Sequence, residues 1–187
     1  DGLSPEPRVV EKARRATSIQ IRPMVRLREG FGTDGGEVTR MKGLIAAYLD
    51  AGADGVVLGF LNGLNRVDLE VMRELIGEGD VPWTFHRAID HCLDLDRAWA
   101  DVKRLPRVTS VLTAGSARGV EQGLDELVRR ATTDHDAARL VMAGGGHQHA
   151  GGRIAGLAAV AEAALDAKTF TSSGQLCPEQ FLPADGA

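Results

Sequence analysis

The chain has 187 residues, 43% of them hydrophobic and 26% charged, with a formal net charge of −4, a profile that suits one globular domain with a substantial core. No stretch approaches about 18 uninterrupted apolar residues, which excludes a membrane-spanning helix, and the mildly acidic balance argues against nucleic acid or an anionic membrane as partner. Two distant cysteines, Cys92 and Cys177, exclude a disulfide framework or a zinc ribbon and point to a reducing cytoplasm.

The opening DGLSPEPRVV has no initiating Met and no signal-peptide pattern, and reads as the middle of a longer polypeptide. PEPRVVEKARRAT predicts a helix that should pack on a strand preceding it. Then come a strand over Ile21 to Leu27 (IRPMVRL) and a helix over EVTRMKGLIAAYLDAG, where Met41, Leu44, Ile45, Tyr48 and Leu49 share one face and Gly52 stops the run. Strands follow at Gly55 to Phe60 (GVVLGF) and Val81 to His86 (VPWTFH). In LDRAWADVKRLP, Leu95, Ala98, Trp99, Val102 and Leu105 line one helical face before Pro106. The remaining strands are Val108 to Thr113 (VTSVLT), Arg139 to Ala143 (RLVMA) and Lys168 to Ser172 (KTFTS), with helices over VEQGLDELVRRA and GGRIAGLAAVAEAALDA between them. ATTDHDAAR reads as a linker that leaves His135 at the surface.

Near-continuous apolar strands suit a parallel sheet covered on both faces, and strand starts recur roughly every 26 to 34 residues, the length of a βα unit. Six such units fit an open doubly wound sheet or a (β/α)8 barrel. IRPMVRLREGFGTDGG lacks the GxGxxG that a dinucleotide-binding sheet needs after its first strand. The expectation is therefore an α/β chain forming a TIM (β/α)8 barrel, of which residues 1–187 supply the last six units, the first two strands being absent. Residues 1–175 form one domain and 176–187 a tail.

Ligands of parallel βα folds bind beyond the carboxyl ends of the strands. The residues there are Arg26, Arg28 and Asp34; Asn62; His86, Arg87 and Asp90; Thr113, Gly115 and Ser116; Gly144, Gly145, Gly146 and His147; and Ser172, Ser173 and Gly174. An imidazole exchanges a proton near neutral pH and a carboxylate four residues on can orient it, so His86 is the candidate acid/base and Asp90 its orienter. Arg26 is the candidate clamp for an anionic substrate. Arg28, Arg87, Thr113, Gly115, Ser116, the GGG turn and Ser172–Ser173 supply further anion or phosphate donors. His147 and His149 stand two apart in a glycine-rich loop, which favours solvated histidines, and no residue is assigned as a metal ligand. Cys92 and Cys177 read as structural thiols.

Taken together, GLSP (2 to 5), VRLREGFGTDGG (25 to 36), AGADGVVLGFL (51 to 61), VPWTFHRAID (81 to 90), VTSVLTAGSA (108 to 117) and VMAGGG (141 to 146) resemble the CutC family, in an actinobacterial-like form whose N-terminal part is absent. The resemblance implies a (β/α)8 barrel, a cytoplasmic location, copper homeostasis and Cu(I) as ligand. It places the family's copper-linked cysteines before GLSP, outside this chain, and carries over Arg26, His86, Arg87 and Asp90 as strand-end residues. The alternative is a barrel enzyme, a lyase or isomerase acting on a small anionic or phosphorylated metabolite. Either reading makes the partner a small molecule or a metal, and leaves a dimer or tetramer open.

Overall fold

The structure is a computed structural model, and it describes residues 2–144. Helix α1 (Pro7–Ala16) starts with proline at its first turn, where the missing N–H costs nothing. Arg14 ties this helix to the loop over residues 51–55: its Nε donates to Gly52 O at 2.9 Å and its guanidinium pairs with Asp54. The same Asp54 carboxylate accepts Ile21 N at 2.7 Å, so one side chain joins helix, loop and the approach to the sheet.

Helix α2 (Gly35–Asp50) buries Val38, Met41, Ile45 and Tyr48, with Leu44 and Leu49 of the expected face half-buried. Next come strand β1 (Val56–Leu58), helix α3 (Leu69–Ile76), strand β2 (Trp83–Phe85), a 3-10 turn (Arg87–His91), helix α4 (Leu95–Lys103), strand β3 (Val108–Thr113), helices α5 (Val120–Thr133) and α6 (His135–Leu140), and strand β4 (Val141–Ala143). Four helices start on an aspartate whose carboxylate accepts a backbone N–H of the first turn: Asp34 for α2, Asp68 for α3, Asp94 for α4 and Asp134 for α6. Asp134 is what turns the expected linker into a short helix that buries Ala137 and Ala138, with His135 exposed as anticipated.

The four strands pair in parallel, in the order β1-β2-β3-β4. Every residue of β2 is buried, with Trp83 and Phe85 on one face and Thr84 on the other. Thr84 Oγ1 lies 2.7 Å from Ser110 Oγ and accepts Arg22 Nη1 at 3.0 Å, so that face carries a polar ladder. Trp83 Nε1 donates to Pro106 O at 2.8 Å, satisfying the indole within the core. Arg107, at a left-handed φ of 62°, donates Nη2 to Gly77 O at 2.7 Å and caps the end of α3.

The expected barrel of six βα units is corrected here to an open, four-stranded parallel sheet with flanking helices among the described residues. The segment Ile21 to Leu27 forms one bridge, Met24 to Val57, rather than a strand. Pro23 has no N–H to donate, and pairing is limited to Val25 N with Val57 O at 2.8 Å and Val57 N with Pro23 O at 2.9 Å. The strand expected over Lys168 to Ser172 lies outside the described residues. Among those residues, no helix is long and apolar enough to cross a membrane.

Candidate functional site

The site is built where the chain leaves β2. His86 keeps an extended backbone and caps the 3-10 turn, its Nδ1 accepting Ala88 N at 3.1 Å. With that lone pair engaged, the neutral ring carries its hydrogen on Nε2. Nε2 is buried and has no hydrogen-bond partner among the described residues, in a side chain only 3% exposed. Burial, then the positive charge of Arg26, then His91, push the imidazole down to about 4, so the ring is neutral at physiological pH. Only glycine fits at position 59, since a Cβ there would stand 2.9 Å from His86 Nδ1.

Asp90 does something other than orient His86. Its carboxylate accepts Thr113 Oγ1 at 2.5 Å, Ala114 N at 2.9 Å and Arg87 Nε at 3.0 Å, while both ring nitrogens of His86 are accounted for without it. Thr113 Oγ1 in turn accepts Gly115 N at 2.9 Å, and Arg87 Nη2 donates to Ser116 O at 3.2 Å. These bonds fasten the turn after β2 to the end of β3. Gly115, at φ +75°, packs against α5 so closely that a Cβ on it would lie 2.1 Å from Gly123 O. Gly144 N donates to Thr113 O at 2.9 Å. Gly145, Gly146, Ser172 and Ser173 lie outside the described residues, as do His147 and His149.

The two arginines of the loop after Met24 have different fates. Arg28 pairs with the buried carboxylate of Glu37 at 3.2 Å and with Asp34 at 3.7 Å. Arg26 is paired with no carboxylate among the described residues; its Nε donates to Arg28 O at 3.1 Å and its guanidinium lies 5.3 Å from the centre of the Phe31 ring. The backbone of Arg26 is held by Ser4, whose N–H donates to Arg26 O at 2.9 Å and whose Oγ accepts Arg26 N at 2.7 Å. Phe31 is the centre of the cluster, 5.6 Å from the His86 ring and 4.8 Å from the His91 ring. The sequence reading assigns no role to Phe31, Ser4 or His91. An aromatic residue between two glycines in a strand-end loop, GFG, was the available signal.

Among the described residues, the donor set at this site does not suit Cu(I), which prefers thiolates and thioethers. Burial, followed by Asp90, Asp101 and Asp94, raises the Cys92 thiol to about 11, and its Sγ donates to Ala88 O at 3.8 Å. No group of three His, Cys, Asp or Glu suited to a metal occurs among the described residues.

Comparison with known proteins places this arrangement. The CutC family model matches residues 1–168. Family protein CutC of Yersinia pseudotuberculosis (strain IP32953) is 35% identical over 147 residues, covering 78% of this chain and 58% of that protein, so the chain spans little more than half of that relative's length. Family protein CutC of Klebsiella pneumoniae (strain 342) is 32% identical over 189 residues, 98% of this chain and 70% of the relative. A crystal structure of a Streptococcus agalactiae CutC, a candidate copper homeostasis protein, superposes with a TM-score of 0.71 over 87% of this chain and 78% of that one, at 22% identity. These matches correct the expectation of an actinobacterial-like member, since the relatives just named are from Yersinia and Klebsiella. A match of that extent, joined to relatives above 30% identity over most of the sequence, means that the chain belongs to the CutC family.

Proposed function

We propose that this chain serves copper homeostasis as a cytoplasmic protein, through a small anionic ligand taken up beside His86 rather than through copper held on its own thiol. One observation carries the reading: among the described residues, an imidazole with a buried, unpartnered N–H packs on the Phe31 ring together with a guanidinium that has no carboxylate partner. A desolvated, unpaired donor costs folding free energy, about 1 to 3 kcal/mol, and a ligand oxygen removes that cost on binding. The Arg26 guanidinium supplies the matching charge, in a fork suited to a carboxylate.

The test is thermal denaturation of the full chain with a panel of small carboxylates and phosphates, and separately with Cu(I) under reducing conditions. Expected is stabilisation by at least one anion at millimolar concentration, lost in Arg26→Ala, with no Cu(I) binding tighter than about micromolar. Equal response of wild type and Arg26→Ala to every anion, or tight Cu(I) binding abolished by Cys92→Ser, would overturn it.

A further inference from the structure

We infer that the ligand of this site is a small carboxylate carrying an adjacent carbonyl oxygen, the class of the 2-oxo acids, with Arg26 holding the carboxylate and His86 donating its Nε2–H to the carbonyl behind a movable Phe31 side chain. This rests on the anion-binding reading above and narrows it.

The open donors among the described residues point to the ligand's size and charge. Among the described residues, three backbone N–H groups near the ends of β3 and β4 are already committed: Ala114 N to Asp90, Gly115 N to Thr113 Oγ1 and Gly144 N to Thr113 O. Arg28 is neutralised by Glu37 and Asp34, and Arg87 by Asp90. Apart from the exposed His91 ring, what remains in the cluster, among the described residues, is one guanidinium and one neutral N–H. A doubly charged phosphoryl group is poorly matched to that pair, whereas one carboxylate and one carbonyl oxygen are well matched. An imidazole locked in its Nε2–H tautomer by Ala88 N has no lone pair facing the site, so it donates and does not abstract a proton. Neutral histidine polarising a carbonyl oxygen is an established catalytic device.

Phe31 decides access. Its ring lies against Arg26, His86 and His91 together, and His86 Nε2 is out of reach of solvent while it does so. The Phe31 backbone is anchored, its O accepting Leu61 N at 2.9 Å, so the motion required is a side-chain rotation in a loop flanked by Gly30, at φ +81°, and Gly32. Neither glycine has a neighbour within 4 Å of a notional Cβ, which leaves space around the loop.

The experiment is NMR on intact 15N-labelled chain, titrated with pyruvate, acetate and inorganic phosphate as probes. Before ligand, the His86 ring nitrogens should show the Nε2–H tautomer and stay neutral at pH 6. Pyruvate should shift the His86 Nε2 resonance and bind about tenfold more tightly than acetate, the usual worth of one added hydrogen bond at the upper end of its range. His86→Asn keeps a cap acceptor at the Nδ1 position and lacks the remote donor, so it should bind pyruvate no better than acetate; His86→Gln, which can place an amide N–H near Nε2, should restore part of the preference. Phe31→Ala should speed binding of pyruvate. Pyruvate and acetate binding equally to wild type, phosphate preferred to both, or an Nδ1–H tautomer would overturn the 2-oxo acid assignment while leaving an anion site standing. Binding of none of the three would remove this assignment, and a flat response to the wider anion panel would remove the anion site as well.

Discussion

The chemistry of the cluster divides between side chains that hold the fold and side chains that face a ligand, and the division is testable residue by residue. Asp90 is buried with three donors on its carboxylate. Asp90→Ala leaves Arg87 without its partner and Thr113 and Ala114 unsatisfied, and is expected to cost about 3 to 5 kcal/mol in urea denaturation. Thr113→Val, which removes one bond to Asp90 and one from Gly115 N, should cost about 1 to 3 kcal/mol. His86 makes a different prediction. Its ring is pushed from 6.5 down to about 4, so the unfolded chain takes up the proton first, and the stability that goes with a neutral ring is intact above pH 6.5 and lost as pH falls toward 4. The ceiling on that loss is on the order of 3 kcal/mol. His86→Asn has nothing to protonate there, so its stability should fall less than that of wild type between pH 7 and pH 4.5; carboxylates titrate in both proteins and cancel in the difference. Parallel curves would mean that His86 is not a buried neutral imidazole. Which residues stand at the strand ends was legible in the sequence. Which of them are spent on one another was not, because i to i+4 spacing suggested an Asp90–His86 pair, whereas the 3-10 turn aims Asp90 at β3.

At the level of elements, the contact between α5 and the loop after β3 is a backbone contact. A Cβ on Gly123 would sit 2.0 Å from Ala114 O, closer than any side chain is tolerated. Gly123→Ala should therefore destabilise the protein by several kcal/mol although alanine favours helix by about 1 kcal/mol. Gly43 in the middle of α2 is exposed and meets nothing within 4 Å, so Gly43→Ala should stabilise by about 0.5 to 1 kcal/mol. The pair of melting curves separates packing from propensity. The strands at 56–58, 83–85, 108–113 and 141–143 all fall inside apolar runs flanked by turn residues, which is why they could be read in advance. Ile21 to Leu27 also reads as a strand, but the proline in its middle removes a donor from the ladder. Helix α6 was hidden because its signal is a single capping aspartate followed by six residues.

At the level of the molecule, hydrophobic rhythm identified a parallel α/β chain but not the closure of its sheet. A run buried on both faces shows that a strand has cover, and says nothing about how many strands lie beyond its neighbour. The site itself draws on segments far apart in sequence, Ser4 and Arg26, Phe31, Gly59 and His86, and the parallel sheet gathers them because all strands end on the same side. The strand order β1-β2-β3-β4 bears also on how the protein is made. Each later strand pairs with the one translated just before it, so a segment emerging from the ribosome finds its partner already present; the residues from Ser4 to His91 are all translated before β3, which then fastens the turn after β2 through Asp90.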